Sequence, residues 1–376
     1  MIEPLRFKNG SFTLMQITDT QEIHTVNPDT VKLISLALDR VKPDLVVFTG
    51  DQLKGYSPTF KGDTRRKISR TIADLLRPLE DRKIPFCVTF GNHDNNCGVS
   101  NARQMEIYAS HAGFVAGTQR SKDDPGTFSL QLKDSLGKRD VFNLYVFDSG
   151  GKGEDGVYQP LTPDRIDWFR RERERLYVEN GAYLPSLVFQ HIPLPEYYDI
   201  LRRVAKGTKG AVEAFYKHEG EYYVLPDEAI ARGDFMLESP AAPDDNTGEL
   251  DALAEKGDVL GFYVGHDHIN SFSIEHRGIR LGYTQGCGFH TYGPGGKRGV
   301  RVFTLKESDL STFETHTVTM EDLCAYQPAK PVTEFVLTHM PSSPRQVLKY
   351  VPHGIVLTGA ATALSIGAAL INKKKK

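Results

Sequence analysis

Hydrophobic and polar positions along this chain switch repeatedly between a strand-like and a helix-like period. Phe12–Thr18 (FTLMQIT) predicts a strand ending at Asp19, and residues 29–41 carry apolar side chains at Val31, Leu33, Ile34, Leu36, Leu38 and Val41, close to helical spacing. Leu45–Thr49 (LVVFT) predicts a buried strand running into Gly50–Asp51. Lys67–Glu80 predicts a helix, and Phe86–Phe90 (FCVTF) a strand before Gly91–Asn92. The alternation continues with a strand over Phe142–Phe147, a helix from Pro163 to about Val178, and a strand Ser186–Gln190 ending at His191. After a polar excursion over 205–250, a strand Val259–Val264 leads to Gly265–His266. Three further strand patterns follow at Phe272–Glu275, Ile279–Thr284 and Val300–Leu305 and read as an antiparallel run. Strand–helix–strand alternation at this spacing implies βαβ units and an α/β architecture. Ile166, Trp168 and Phe169 read as core of the third helical stretch.

Five of these strand patterns end in a residue able to bind a metal: Asp19, Asp51, Asn92, His191 and His266. In open α/β sheets ligand sites lie beyond the carboxyl ends of the strands. One such residue would mean little, because Asp and Asn are common in turns. Five with complementary donor chemistry point to a metal centre. Imidazole nitrogens together with carboxylate and amide oxygens suit first-row transition ions. A shared carboxylate such as Asp51 can hold two cations ~3.5–4 Å apart, the spacing of two-metal hydrolases. His266 and His268, separated by Asp267, place two imidazoles on one loop. The chain has no GxxxxGK[ST] or GxSxG motif, so nucleotide-loop and serine-hydrolase chemistries are not indicated.

The series Asp19…Gly50-Asp51…Gly91-Asn92-His93-Asp94…His191…Gly265-His266-Asp267-His268 resembles the signature of calcineurin-like metallophosphoesterases. HIPLPE at 191–196 and QGCGFHTYG at 285–293 are similar to the purple-acid-phosphatase-like branch of plants and fungi. The resemblance implies a four-layer α/β/β/α sandwich of two mixed sheets. It also implies one metal held by Asp19, Asp51 and His268 and a second by Asp51, Asn92, His191 and His266, with Mn, Fe or Zn as the ions. A bridging hydroxide would attack phosphorus in line, His93 would protonate the leaving oxygen, and Asp94 would orient the His93 imidazole. Phosphomonoesters are the leading substrates; small diesters, or a non-catalytic scaffold of the same fold, are the alternatives. Two positions depart from the family. Gln21 stands where a His ligand is usual, with His24 nearby as a rival ligand. Lys54 stands where coloured purple acid phosphatases have a tyrosinate.

Composition narrows the partners. An apolar fraction of 39% supports a sizeable core. Formal net charge is −2 and the four terminal lysines offset an acidic body, which suits a small phosphorylated substrate or phosphoprotein and argues against nucleic acid. Cys87, Cys97, Cys287 and Cys324 form no CxxC pair and read as free thiols, which favours a reducing compartment. Residues 1–10 have no apolar run, so a cytoplasmic protein is expected. Residues 354–371 are uncharged and precede four lysines, which predicts a membrane tether or a packed terminal helix. The expected organisation is one domain over 1–305, a peripheral extension over 306–353, and the apolar tail over 354–376. His290, in a Gly-rich stretch, and Glu238 and Asn246, flanking the polar excursion, are further candidates for the site.

Overall fold

Alternation within each strand decides which layer its side chains join. The computed structural model describes residues 4–340. Residues 354–371, and with them the expected membrane contact, lie outside these. Among the described residues no helix is long and apolar enough to cross a membrane. Two large mixed sheets form the centre. The first has five strands in the order Asp309–Thr319, Gly299–Lys306, Ser11–Ile17, Leu45–Thr49, Phe86–Thr89. Its last three strands run parallel, and Gly299–Lys306 pairs antiparallel on both sides. The second has eight strands in the order Phe235–Met236, Asn270–His276, Ile279–Tyr283, Val259–Val264, Ser186–Phe189, Asp140–Val146, Phe128–Lys133, Thr118–Gln119. Asp140–Val146, Ser186–Phe189, Val259–Val264 and Ile279–Tyr283 are its parallel core.

The sheets pack face to face. Phe12, Leu14, Leu45, Val47, Phe303 and Leu305 from the first share one buried cluster with Leu130, Leu144, Leu187, Phe189 and Tyr263 from the second. The intervening side chains of the same strands point the other way. Met15, Ile17, Val46, Phe48 and Val88 meet helices Pro28–Val41 and Thr64–Glu80 through Leu33, Ile34, Ile72 and Leu75. Tyr145, Val188, Phe262 and Val264 meet helix Pro163–Asn180 through Ile166, Trp168 and Phe169. Three buried clusters separate four layers, so the α/β/β/α sandwich expected from the sequence is present. Each fully buried Leu, Val or Phe adds roughly 1.5–3 kcal/mol of transfer free energy, which is why period-2 runs with no polar face mark these strands.

Helix Pro28–Val41 starts where it does because the Asn27 side chain accepts from the Asp29 N–H and Pro28 fills the first turn. The first sheet extends further than the expected boundary at residue 305. Asp309–Thr319 pairs with Gly299–Lys306 along its length and forms the sheet edge. Its exposed polar positions (Asp309, Ser311, Thr312, Glu314) gave it a polar cast in sequence. Within the polar excursion over 205–250, Val212–Glu213 and Tyr222–Val224 join Arg202–Val204, just before it, in a small antiparallel sheet.

Candidate metal centre

Parallel strands deliver their carboxyl ends to one edge of the sandwich, and the loops there carry all the predicted ligands. The first sheet supplies Asp19, Asp51 and Asn92, and the second supplies His191, His266 and His268. These loops are tight. Asp19, Gln21, Asp51 and His266 have φ of 52°, 37°, 53° and 76°, a left-handed backbone that side-chain-bearing residues adopt at a cost. Gly50 shows why the turn is so closely built: at φ +98° any Cβ would lie 2.7 Å from both Gly91 N and His191 Nδ1.

Donor atoms converge. The ligand atoms of Asp19, Asp51 and His191 all lie within 4.8 Å of one another, and all three residues are buried. Asp19 Oδ2 accepts from Thr18 Oγ1 (2.8 Å) and the His266 N–H (2.9 Å). That leaves Asp19 Oδ1 buried with no hydrogen-bond donor, 3.2 Å from His268 Nε2 and 3.9 Å from His191 Nε2. Asn92 Oδ1 is likewise buried and unpartnered. Asp51 Oδ1 accepts the His93 N–H at 2.8 Å, while its Oδ2 lies 3.4 Å from His191 Nε2 and 3.1 Å from Gln21 Nε2.

The imidazoles are oriented from behind. His191 Nδ1 donates to Thr49 O (3.0 Å) and His268 Nδ1 to Tyr292 O (3.0 Å). A carbonyl only accepts, so in the neutral ring each Nε2 keeps its lone pair facing the cluster. His266 Nδ1 faces His191 Nε2 at 3.2 Å. Tyr292 stacks on His268 with ring centres 4.2 Å apart, and Glu238 holds the Tyr292 hydroxyl at 3.0 Å. Orphaned buried oxygens facing inward lone pairs fit a metal cation and would otherwise be costly to bury.

The electrostatics follow from this crowding. Burial pushes the His191 imidazolium down, but Asp51 and Asp19 outweigh it and lift its pKa to about 10. Burial, with His191 beside it, holds His266 well below the ordinary histidine value. Burial raises Asp51, yet the neighbouring His191 and His93 more than reverse this and leave it below the usual carboxylate range.

Each predicted residue has a place. Gln21 reaches the cluster, its Nε2 3.1 Å from Asp51 Oδ2 and 3.2 Å from His268 Nε2. A flip of the amide would present Oε1 to the same point. His24 is held by its backbone, its N–H donating to Thr59 and its carbonyl accepting from Thr71. His93 is half-buried at the mouth, its Nε2 3.9 Å from Asp51 Oδ2. Asp94 does not orient that ring, contrary to expectation. Its Oδ2 accepts the N–H groups of Asp51 and Gly91 (both 2.8 Å) and its Oδ1 that of Leu53 (2.9 Å), and the His93 Nδ1 partner is Asn96 Oδ1 at 3.1 Å. The carboxylate sits beneath the loop, where it meets peptide N–H groups before any side chain.

Lys54 points away from a ligand role, donating from Nζ to His290 O at 2.9 Å. His290 itself is tied by Nδ1 to Glu22 Oε2 at 2.7 Å, and Asn246 to Glu196 at 2.7 Å. The sequence reading missed the ring neighbours of the site. Tyr56 lies 4.7 Å from His93, and Tyr158 lies 4.4 Å edge-on from His266. Nothing in their spacing marks them, because they come from loops whose path is set elsewhere.

A family model described as calcineurin-like phosphoesterase matches residues 12–270. Among relatives, "Probable inactive purple acid phosphatase 29" of Arabidopsis thaliana is 29% identical, covering 81% of this chain and 75% of that protein. "Probable inactive purple acid phosphatase 14" of the same plant is 26% identical, covering 79% and 76%. A solved dimetal phosphatase from Danio rerio is similar with a TM-score of 0.49 at 13% identity, covering 82% of this chain and 99% of that one. With the family model spanning more than half of the sequence and its ligand-type residues gathered at one sheet edge, this chain belongs to the calcineurin-like phosphoesterases.

Proposed function

We propose that this chain hydrolyses phosphomonoesters with two bound transition metal ions, Mn, Fe or Zn. The observation that carries the reading is the convergence of Asp19 Oδ1, Asp51 Oδ2 and His191 Nε2, with Asp19 Oδ1 buried and lacking any donor. Asp19, Asp51 and His268, with Gln21 beside them, would hold one ion. Asp51, Asn92, His191 and His266 would hold the other. Such ions, when bound, lower the pKa of water and neutralise charge on a phosphoryl group.

The chain's own residues supply positioning and proton transfer. Asp51 lies between the two ligand groups and is fixed by its own N–H on Asp94. Asn96 Oδ1 makes Nδ1 of His93 a donor, so any proton the ring takes up for transfer sits on Nε2, at the mouth of the site. That proton is placed for delivery to a leaving oxygen. The acidic body favours a small phosphorylated substrate or a phosphoprotein over nucleic acid, and free thiols support a cytoplasmic setting.

A second reading is a metal-free or inactive binding protein. The names of the two plant relatives and the Gln21 substitution favour it. Metal analysis of purified protein, with turnover measured on p-nitrophenyl phosphate and bis(p-nitrophenyl) phosphate, separates the readings. Stoichiometric metal and faster monoester turnover are expected. Metal-loaded protein inert towards both esters would end the enzyme reading.

A further inference from the structure

The residues that surround the cluster supply ligands and one proton donor, yet none of those named so far offers a cation to the substrate's outward phosphate oxygens. A segment next to the site carries a lysine. Beyond strand Asp140–Val146 the chain turns back on itself, with Lys152 bridging Tyr158 in antiparallel fashion. Gly153 donates to Val157 O (2.9 Å) and Gln159 to Gly151 O (3.0 Å), so the hairpin is ordered through its own backbone. Its first limb runs against the metal centre: a Cβ at Gly151 would lie 3.4 Å from Asn92 Cβ. Its second limb buries Tyr158 edge-on against His266, at 4.4 Å and 90°.

Lys152 is thereby held at the rim. Its Nζ lies 4.8 Å from the Tyr158 ring centre and 5.8 Å from that of Tyr216. The two rings meet at 86° and 6.0 Å, forming a corner that receives the ammonium. Tyr216 adopts φ 54°, a left-handed conformation that a bulky side chain rarely takes. Partial burial pulls the Lys152 pKa down.

We propose that Lys152 is the substrate-binding cation of this centre, receiving the non-bridging oxygens of a dianionic phosphomonoester, with Tyr158 and Tyr216 as its positioning residues. The proposal rests on the hydrolase reading and extends it to the preference between esters. A monoester carries one more negative charge than a diester, so a rim cation favours it selectively.

The test uses full-length, metal-loaded protein and Lys152→Met and Lys152→Arg variants. Calorimetric titration with inorganic phosphate should show affinity reduced about tenfold or more in Lys152→Met, as expected for loss of one charge-assisted contact, and largely kept in Lys152→Arg. With p-nitrophenyl phosphate, KM should rise by a similar factor while kcat moves little. With bis(p-nitrophenyl) phosphate the change should be several-fold smaller. Equal losses on both esters would mark a displaced loop and overturn the proposal, as would unchanged phosphate affinity in Lys152→Met or wild-type protein that binds no phosphate. The phosphate titration needs no turnover. Protein that binds phosphate through Lys152 but cleaves neither ester would therefore refute hydrolysis and leave the anion site standing.

Discussion

Asp94 accepts the backbone N–H of Asp51 at 2.8 Å, and through that bond it fixes the carboxylate lying between the two ligand groups of the metal centre. Because Asp94 also accepts from Gly91 and Leu53, it staples the Gly50–Asp51 turn to the Gly91–Asn92 turn. Asp94→Ala would strand three N–H groups, two of them in buried turns. Leaving a buried N–H without its acceptor costs ~1–3 kcal/mol each, so a loss of at least ~3 kcal/mol is expected, together with reduced metal content. Urea unfolding and metal analysis of the variant check this. A variant with wild-type stability and full metal would show that the staple is dispensable.

His93 should behave differently. No contact places it among the inward-facing ligand atoms, since its Nδ1 goes to Asn96 and its Nε2 lies 3.9 Å from Asp51. His93→Ala is expected to keep its metal and lose turnover by ~10²–10⁴-fold, the usual worth of a positioned proton donor. Loss of metal in this variant would instead make His93 a ligand.

Gln21 is the residue at which one of the two proposed metal sites would be weakened. Its amide offers at best a neutral oxygen beside Asp51 and His268, where an imidazole would give a better donor to a transition ion. Changes in the groups around a metal can cost 10–100-fold in affinity, so Gln21→His should tighten the weaker site by about tenfold or more. Activity of wild-type protein should rise on adding Mn²⁺, and Gln21→His should need less of it. His24→Ala should leave the titration unchanged, because His24 is anchored at Thr59 and Thr71. A collapse of Mn²⁺ response in His24→Ala would reassign the ligand.

Glu249 predicts a pH effect away from the metals. It is buried, with Oε1 unpartnered, and burial, reinforced by Glu196, raises its pKa from 4.5 to about 8. The folded state therefore binds a proton that the unfolded state has released between pH 4.5 and 8. Stability from this group is full below the unfolded pKa and is lost as pH rises through the folded one, at up to ~1.4 kcal/mol per pH unit. Glu249→Gln should flatten that decline, leaving the variant relatively more stable at pH 8 than at pH 5. Parallel unfolding curves for the two proteins across this range would contradict the assignment.

The local content of the sequence was enough to place Asp19, Asp51, Asn92, His191 and His266 at strand ends, because continuous apolar runs such as LVVFT and FCVTF announce buried strands and the polar residue after each must sit in a turn. The same runs carried the sandwich, since both faces of such strands need cover. What the sequence could not fix is which groups face each other across the two sheets. Asp19 and His268 are far apart in the chain, and only the packing of one sheet on the other sets Asp19 Oδ1 3.2 Å from His268 Nε2. The role of Asp94 was misread for a related reason: adjacency to His93 in sequence says nothing about which N–H groups a buried carboxylate will meet. Asp309–Thr319 looked peripheral because an edge strand leaves alternate side chains in water, and its identity comes from its partner Gly299–Lys306. Lys152, Tyr158 and Tyr216 had no signal at all, since a binding corner built from two loops exists only once the sheets beneath have fixed where those loops end. Residue types and periodicity are properties of the chain; distances between loops belong to the packed fold.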